Sequence, residues 1–214
     1  MTAARNSGVI SMAKARSIAR FIQEQDSRFA KVVGVAGPST IGRIKSPSTN
    51  FSSLAESILS QQLSVKASDT IISRIAKLSG GRLTASGIAK LKDRELRQAG
   101  CSGAKARAIK ELSEATLSQA VPMRSLHTMS DEAIFEALLP LFGIGKWTVE
   151  MFLMFQLGRL DIWPVGDLGV RRGWERLHGL KEDISPSDLA KRGEKFAPYR
   201  SHVAWYCWRA LDLR

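Results

Sequence analysis

The stretch that most constrains this chain is LLPLFGIGKWTVEMFLMFQLGRLDIWPVGDLGVRR, Leu138 to Arg172. A helical run stops at Pro140 and the chain turns through Phe142-Gly143-Ile144-Gly145. A strongly apolar run, 146–157, follows, and Gly158 closes it as a helix C-terminal glycine would. Two glycines around one apolar residue, just before a helix, give a tight turn whose backbone N–H groups lack intrahelical partners. Such groups attract a phosphate, helped by the helix dipole and by Lys146 in the first turn. Ile144, between the glycines, is expected to point inward and pin the turn. A G-x-G sequence alone fits an ordinary helical corner better than a phosphate site. What sets this one apart is Trp147 beside the turn and a lone acid, Asp167, twenty residues after it, behind Trp163-Pro164.

The rest of the chain reads as helices. Ser11 to about Val33 carries apolar residues at helical spacing (Ile18, Phe21, Ile22, Phe29, Val32), with a break near Asp26-Ser27. Residues 1–10 read as a loosely attached start, and Gly34 to Asn50 as a Gly/Pro/Ser/Thr loop. Asn50 and Ser64 are candidate N-caps of two successive helices. A short helix over 93–99 ends at Gly100. Cys101-Ser102-Gly103 then enters the basic helix 104–120, as a second, degenerate hairpin or as a plain structural turn. Ser130 starts a helix with acids in its first turn, as the dipole prefers. Ser185-Pro186-Ser187-Asp188 is a helix start with cap, proline and acid in order. The last helix, 199–211, is rich in aromatics. Alternating strand patterns are nearly absent. The fold class is therefore all-α, with roughly nine or ten helices of usual length.

Composition narrows the partner. Lys and Arg number 32 against 20 acids, a formal charge of +12. An excess this large, spread over many segments, favours a polyanion such as nucleic acid on a folded face. Only Cys101 and Cys207 are present, which excludes a four-cysteine cluster or a zinc knuckle and suggests a reducing compartment. His127, His178 and His202 have no metal-ligand spacing, so no metal held by side chains and no cofactor are expected. No apolar run approaches a membrane span and no signal-peptide core opens the sequence, so no membrane association is expected.

LPLFGIGKWT, a hydrophobic helix and WPVGD, in that order, resemble the helix-hairpin-helix-GPD DNA glycosylases. Within them the match is to the 3-methyladenine DNA glycosylase II (AlkA-type) branch. The similarity extends upstream to SILSQQLSVKAS (Ser57–Ser68) and downstream to PYRSHVAWYCW (Pro198–Trp208). It covers the chain from about residue 50 onward. The resemblance implies two helical lobes (about 10–50 with 159–214, and about 52–158) with the active cleft between them. It also implies a minimal version without the N-terminal β-rich domain of some relatives. The expected activity is that of a monomeric base excision repair enzyme on double-stranded DNA, flipping an alkylated purine and hydrolysing its N-glycosidic bond.

Site residues follow by position. Asp167 would be the catalytic carboxylate, stabilising positive charge on the sugar or activating water; a plain N-cap of a helix over 168–178 is the other reading. Trp147 stands where strand-cutting relatives carry a nucleophilic lysine, so the chain looks monofunctional. Lys146 is one residue away, about 100° around the helix. Trp147 would line a base pocket, or else be an ordinary core tryptophan. Trp208 would stack on the extruded base, where an indole face attracts an electron-poor purine by about 0.5–2 kcal/mol. Met151 takes the place of an aromatic wall in some relatives, and Trp205 fits simple packing. Gln62 or Leu63 would be the wedge filling the gap left by the flipped base, or part of a polar turn. Gly143, Gly145, Lys146 and Thr148 would contact phosphate, and the carbonyls of Leu141 and Ile144 would hold a monovalent cation. Two competing readings are a superfamily enzyme for oxidised or mismatched bases and a hairpin protein that only binds DNA. The expected location is the cytoplasm and nucleoid in a bacterium, or the nucleus in a eukaryote.

Overall fold

A computed structural model describes residues 9–213, and the start expected to be loosely attached falls almost wholly outside them. No strand occurs among the described residues. The described residues form twelve α-helices: α1 (Met12–Gln25), α2 (Ala30–Ala36), α3 (Asn50–Ser60), α4 (Val65–Leu78), α5 (Ala85–Lys90), α6 (Asp93–Gln98), α7 (Gly103–Leu117), α8 (Asp131–Leu138), α9 (Lys146–Met151), α10 (Leu168–His178), α11 (Pro186–Gly193) and α12 (Arg200–Leu211). The count exceeds the nine or ten expected because pieces such as α5 span under two turns, too short for apolar periodicity to register.

Capping residues set most boundaries. Ser11, Ser64, Ser102, Ser130, Asp167 and Ser185 each accept a first-turn N–H of the helix they precede. The break near Asp26 is real: its carboxylate accepts the Arg28 N–H and starts a short 3₁₀ turn, Ser27–Phe29, leading into α2. The cap of α3 is Thr49 rather than Asn50. Thr49 accepts the Ser52 N–H at 3.1 Å, while Asn50 donates to the Met123 carbonyl at 2.7 Å. Both residues can cap, and the long-range bond to Met123 decides between them.

The apolar run 146–157 is not one regular helix. α9 gives way after Met151 to a π-helical turn, Phe152–Gln156, before Gly158 at φ +68°. Phe152, Leu153 and Met154 are all buried, three successive residues that a 3.6-residue period cannot place on one face, whereas Phe155 is half exposed. The wider turn accommodates this pattern.

The chain forms two compact units, and it crosses between them at 45/46 and at 152/153. In the unit Ser46–Phe152, α7 is the central helix, packed against α3, α5 and α6. Its buried face is Ala106, Ile109 and Leu112, and α3 contributes Leu54, Ile58 and Leu59. In the other unit (9–45 and 153–213), α10 lies along α12. Their approach depends on Gly173: a β-carbon there would collide with the backbone carbonyl of Cys207. Around that seam Trp174 stacks on His178 with ring centroids 4.0 Å apart, and Phe29 and Phe196 meet it edge-on.

Candidate active site

Asp167 caps α10. Its Oδ1 accepts the Val170 N–H at 2.8 Å and the Trp208 indole N–H at 2.9 Å. Trp208 sits on α12, so the α10–α12 seam brings these two residues together. Asp167 is half-buried, which leaves part of the carboxylate reachable. Two aimed donors fix the carboxylate at the start of α10. Behind it, burial and the Asp167 charge together hold the Cys207 thiol above its usual range. The N-cap role thus holds the carboxylate in one fixed position.

Two neighbours of this pair carry no chemical signal in the sequence. A β-carbon on Gly169 would lie 2.8 Å from Trp208 Cδ1 and 3.1 Å from Asp167 Oδ1. The missing side chain is what lets the indole reach the carboxylate. Phe155, on the π turn, lies 5.8 Å from the Trp208 ring at 30° and is 49% exposed. A solvent-exposed aromatic pair beside a fixed carboxylate offers a flat surface to a planar ligand. Phe155 was hidden within an apolar run; a signal for it lay in the pattern FLMF, which has one apolar residue too many for a helical face.

In the unit Ser46–Phe152 the hairpin turn has the expected form. Gly143 takes φ +81°, and its β-carbon would approach the Ala108 β-carbon to 2.8 Å, so glycine is required there by the fold. Ile144 is buried and pins the turn. Gly145 differs: its φ of −97° suits any residue and its β-carbon would meet nothing within 4 Å. Its bareness serves no internal contact. Phe142 donates its N–H to Glu111 at 2.9 Å and lies under the Arg107 guanidinium, 4.1 Å away. The exposed Lys146 side chain comes within 3.8 Å of the buried Glu150 carboxylate.

Thr148 stands apart from the other phosphate candidates. It is 3% exposed, so its hydroxyl is buried and only its backbone N–H in the first turn of α9 remains for an anion. Trp147, in contrast, is 49% exposed, which removes the core-tryptophan reading. Met151 is half-buried at the end of the same helix. Of the two carbonyls named for a cation, that of Leu141 accepts the Ile144 N–H at 3.1 Å, which leaves one lone pair for an ion. Among the described residues no group of acids, histidines and cysteines is placed to hold a metal.

The turn after α3 is unusual in backbone. Gln62 takes φ +57°, and both Gln62 and Leu63 are exposed. A left-handed glutamine needs support, and the support is visible: Lys105 Nζ donates to the carbonyls of Leu59 at 2.8 Å and Gln61 at 2.6 Å. The Cys101–Gly103 turn is accordingly structural, since the lysine it introduces is turned towards protein carbonyls. Trp205 packs beside Tyr206, with the Arg209 guanidinium over its ring.

The model of the HhH-GPD superfamily base excision DNA repair proteins matches residues 55–198, well over half the sequence. The chain belongs to this superfamily. DNA-3-methyladenine glycosylase 1 of Schizosaccharomyces pombe is 34% identical over 208 residues, covering 96% of this chain and 90% of that protein. The crystal structure of a DNA-3-methyladenine glycosidase from Bacillus halodurans superposes with a TM-score of 0.81 at 36% identity, over 90% of this chain and 88% of that one. The S. pombe 3-methyladenine DNA glycosylase Mag1, solved in complex with abasic DNA, gives 0.82 at 31% identity, over 92% and 97%. The HhH-GPD match begins in α3 and ends before α12. It therefore takes in the hairpin turn and Asp167, while Trp208 lies beyond it.

Proposed function

We propose that this chain is a monofunctional DNA glycosylase of base excision repair that excises alkylated purines. The observation that carries the reading is the Asp167–Trp208 pair: a half-buried carboxylate fixed by two donors, with a half-exposed aromatic pair of Trp208 and Phe155 adjoining it. Hydrolysis of an N-glycosidic bond develops positive charge on the sugar as the base departs. A prefixed carboxylate stabilises that charge without reorganising, an effect worth about 3–4 kcal/mol in comparable electrostatic sites. The same carboxylate would orient the attacking water. The aromatic surface suits an alkylated purine, whose electron-poor ring stacks more strongly than a normal base. Trp208 and Phe155 are the proposed stacking residues beside Asp167, and Trp147 and Met151 are the base contacts proposed on α9.

Duplex DNA is held by the hairpin turn. The open face of Gly145 lets a phosphate oxygen approach the N–H groups at the start of α9, with Lys146 adding positive charge. Gln62 or Leu63 fills the gap left by the flipped base, and the exposed left-handed turn suits that task. A monovalent cation bridging the Leu141 and Ile144 carbonyls to phosphate would add to the anchoring. The relatives named for 3-methyladenine support the alkylpurine class.

One experiment tests the whole reading. Duplexes carrying 3-methyladenine, 7-methylguanine, ethenoadenine, 8-oxoguanine or a mismatched adenine are incubated with the protein, and free base is measured. Release from the alkylated set alone is expected. Binding without release from any of them would leave a DNA-binding protein and no enzyme.

A further inference from the structure

α7 grips two turns at once. Lys105, in its first turn, crosses to the end of α3 and donates to the carbonyls of Leu59 and Gln61. Three residues further along α7, Ala108 abuts Gly143 of the hairpin, and Arg107 and Glu111 hold Phe142 by its ring and its N–H. The two turns also touch directly: Gln61 Nε2 donates to the Gly143 carbonyl at 3.0 Å. The residue that follows Gln61 is Gln62, at φ +57°.

This arrangement goes beyond what helix capping needs. The carbonyls at the end of α3 face out of the helix and could be satisfied by water. Instead a lysine and a glutamine tie that end to the other exposed turn of the same unit. A side chain pushed into a base stack meets a restoring force, since unstacking costs free energy. A loose turn would yield to that force; a turn braced on the hairpin transmits it to the phosphate contacts.

We propose that Lys105 and Gln61 are positioning residues that lock the Gln62–Leu63 turn to the hairpin turn, so that phosphate anchoring and insertion into the duplex act as one rigid step. The inference rests on the DNA-binding roles proposed for both turns. The rate of base extrusion then depends on two residues that touch neither base nor phosphate. An isolated capping role predicts something different: lower melting temperature and equal losses in every function.

The probe is a duplex with a tetrahydrofuran abasic analogue flanked by 2-aminopurine, whose fluorescence rises on unstacking. It is measured with Lys105→Met, Lys105→Arg and Gln61→Leu. Affinity for the undamaged duplex and single-turnover release of 3-methyladenine from dimethyl sulfate-treated DNA are measured in parallel. Lys105→Met is expected to keep undamaged-duplex affinity within about twofold, to lose about half of the fluorescence rise at saturation, and to slow excision by about tenfold. Gln61→Leu should show the same split at smaller size, and Lys105→Arg should restore part of it. Wild-type fluorescence and excision in both Lys105→Met and Gln61→Leu would overturn the inference, as would equal losses in affinity and excision. Gln62→Ala and Leu63→Ala separate the two levels of the argument. If both leave the fluorescence unchanged, the wedge reading itself fails; if they lower it and Lys105→Met does not, only the bracing fails. Should Lys105→Met not fold, the surface change Gln61→Leu decides the matter alone.

Discussion

Trp208 and Asp167 share one hydrogen bond, indole N–H to Oδ1 at 2.9 Å, and the same oxygen also caps α10 through the Val170 N–H. The stacking surface and the charged group are thereby fixed to each other, and both are fixed to the start of a helix. Movement of the indole moves the carboxylate.

Asp167→Asn should fold normally, bind undamaged DNA normally and lose base release by about a hundredfold or more. The amide oxygen can still accept both N–H donors, so geometry is retained while the charge is lost. Single-turnover release from methylated DNA is the measurement. Near-normal release would remove Asp167 from the chemistry.

Gly169→Ala puts a methyl group where the Trp208 indole now passes, 2.8 Å from Cδ1. The indole must rotate away, breaking its bond to Asp167. Overpacking of this kind costs about 1–3 kcal/mol. Excision should fall by about tenfold or more while the melting temperature drops by only a few degrees, because the site lies at a helix end. Gly173→Ala, by contrast, drives a methyl into the Cys207 carbonyl inside the α10–α12 seam. It should lower the melting temperature sharply, and circular dichroism melts of the two variants would separate them.

The two hairpin glycines should also part company. Gly143→Ala meets Ala108 from a left-handed backbone and should destabilise the fold by about 1–3 kcal/mol. Gly145→Val has open space and a permissive backbone, so it should melt normally. It should nevertheless weaken binding to all duplex sequences about equally, because phosphate contacts carry no sequence information. Titrations at several salt concentrations are the check; unchanged affinity in Gly145→Val would take the hairpin out of DNA binding.

Much of this is legible in the residues alone, and the reasons are local. Ser64, Ser130, Asp167 and Ser185 announce their helices because a cap is a short-range bond between a side chain and an N–H three residues on. Asn50 misled by one position because the competing bond runs to Met123, seventy-three residues away. Gly169 and Phe155 escaped for the same reason: each acquires meaning only when α12 brings Trp208 alongside. The functions of Lys105 and Gln61 likewise depend on α7 lying between two turns that the sequence separates by some eighty residues. Short-range chemistry is written in sequence, whereas which cation finds which carbonyl is a product of packing.

Acid should weaken the fold in two stages. His202 is 1% exposed, its Nε2 meets no hydrogen-bond partner among the described residues, and burial lowers its pKa to about 4. Below its ordinary value near 6.5 the unfolded chain takes up a proton that the buried ring refuses, so stability on the order of 3 kcal/mol is lost progressively as pH falls from about 6.5 to about 4. Asp26 follows lower down. Burial pushes its carboxyl up, but hydrogen bonds from His178, Lys195 and Arg28 outweigh this and bring it to about 2. Its share is present above the ordinary carboxylate value and lost as pH drops towards 2. Melting temperatures of His202→Phe should therefore fall less than those of the unaltered chain between about pH 6.5 and pH 4. Parallel curves would show that His202 does not drive the first stage.

The last expectation is that the strand stays intact after base release. A lyase needs an amine that can attack the sugar beside the departing base, forming a Schiff base that borohydride can trap. The position in the first turn of α9 where strand-cutting relatives carry that lysine is held here by Trp147, half exposed and without an amine. Lys146 precedes it by one residue, about 100° around the helix, and its Nζ lies 3.8 Å from Glu150 on the following turn. In the proposed binding mode an ammonium held in that direction serves phosphate rather than an anomeric carbon. Lesion duplexes should therefore break only after alkali or heat, with little trapped complex under borohydride. Trp147→Lys should gain weak trapping, since it places an amine on the right face. Strong trapping by the unaltered protein that vanishes in Lys146→Ala would make Lys146 a nucleophile and this enzyme bifunctional.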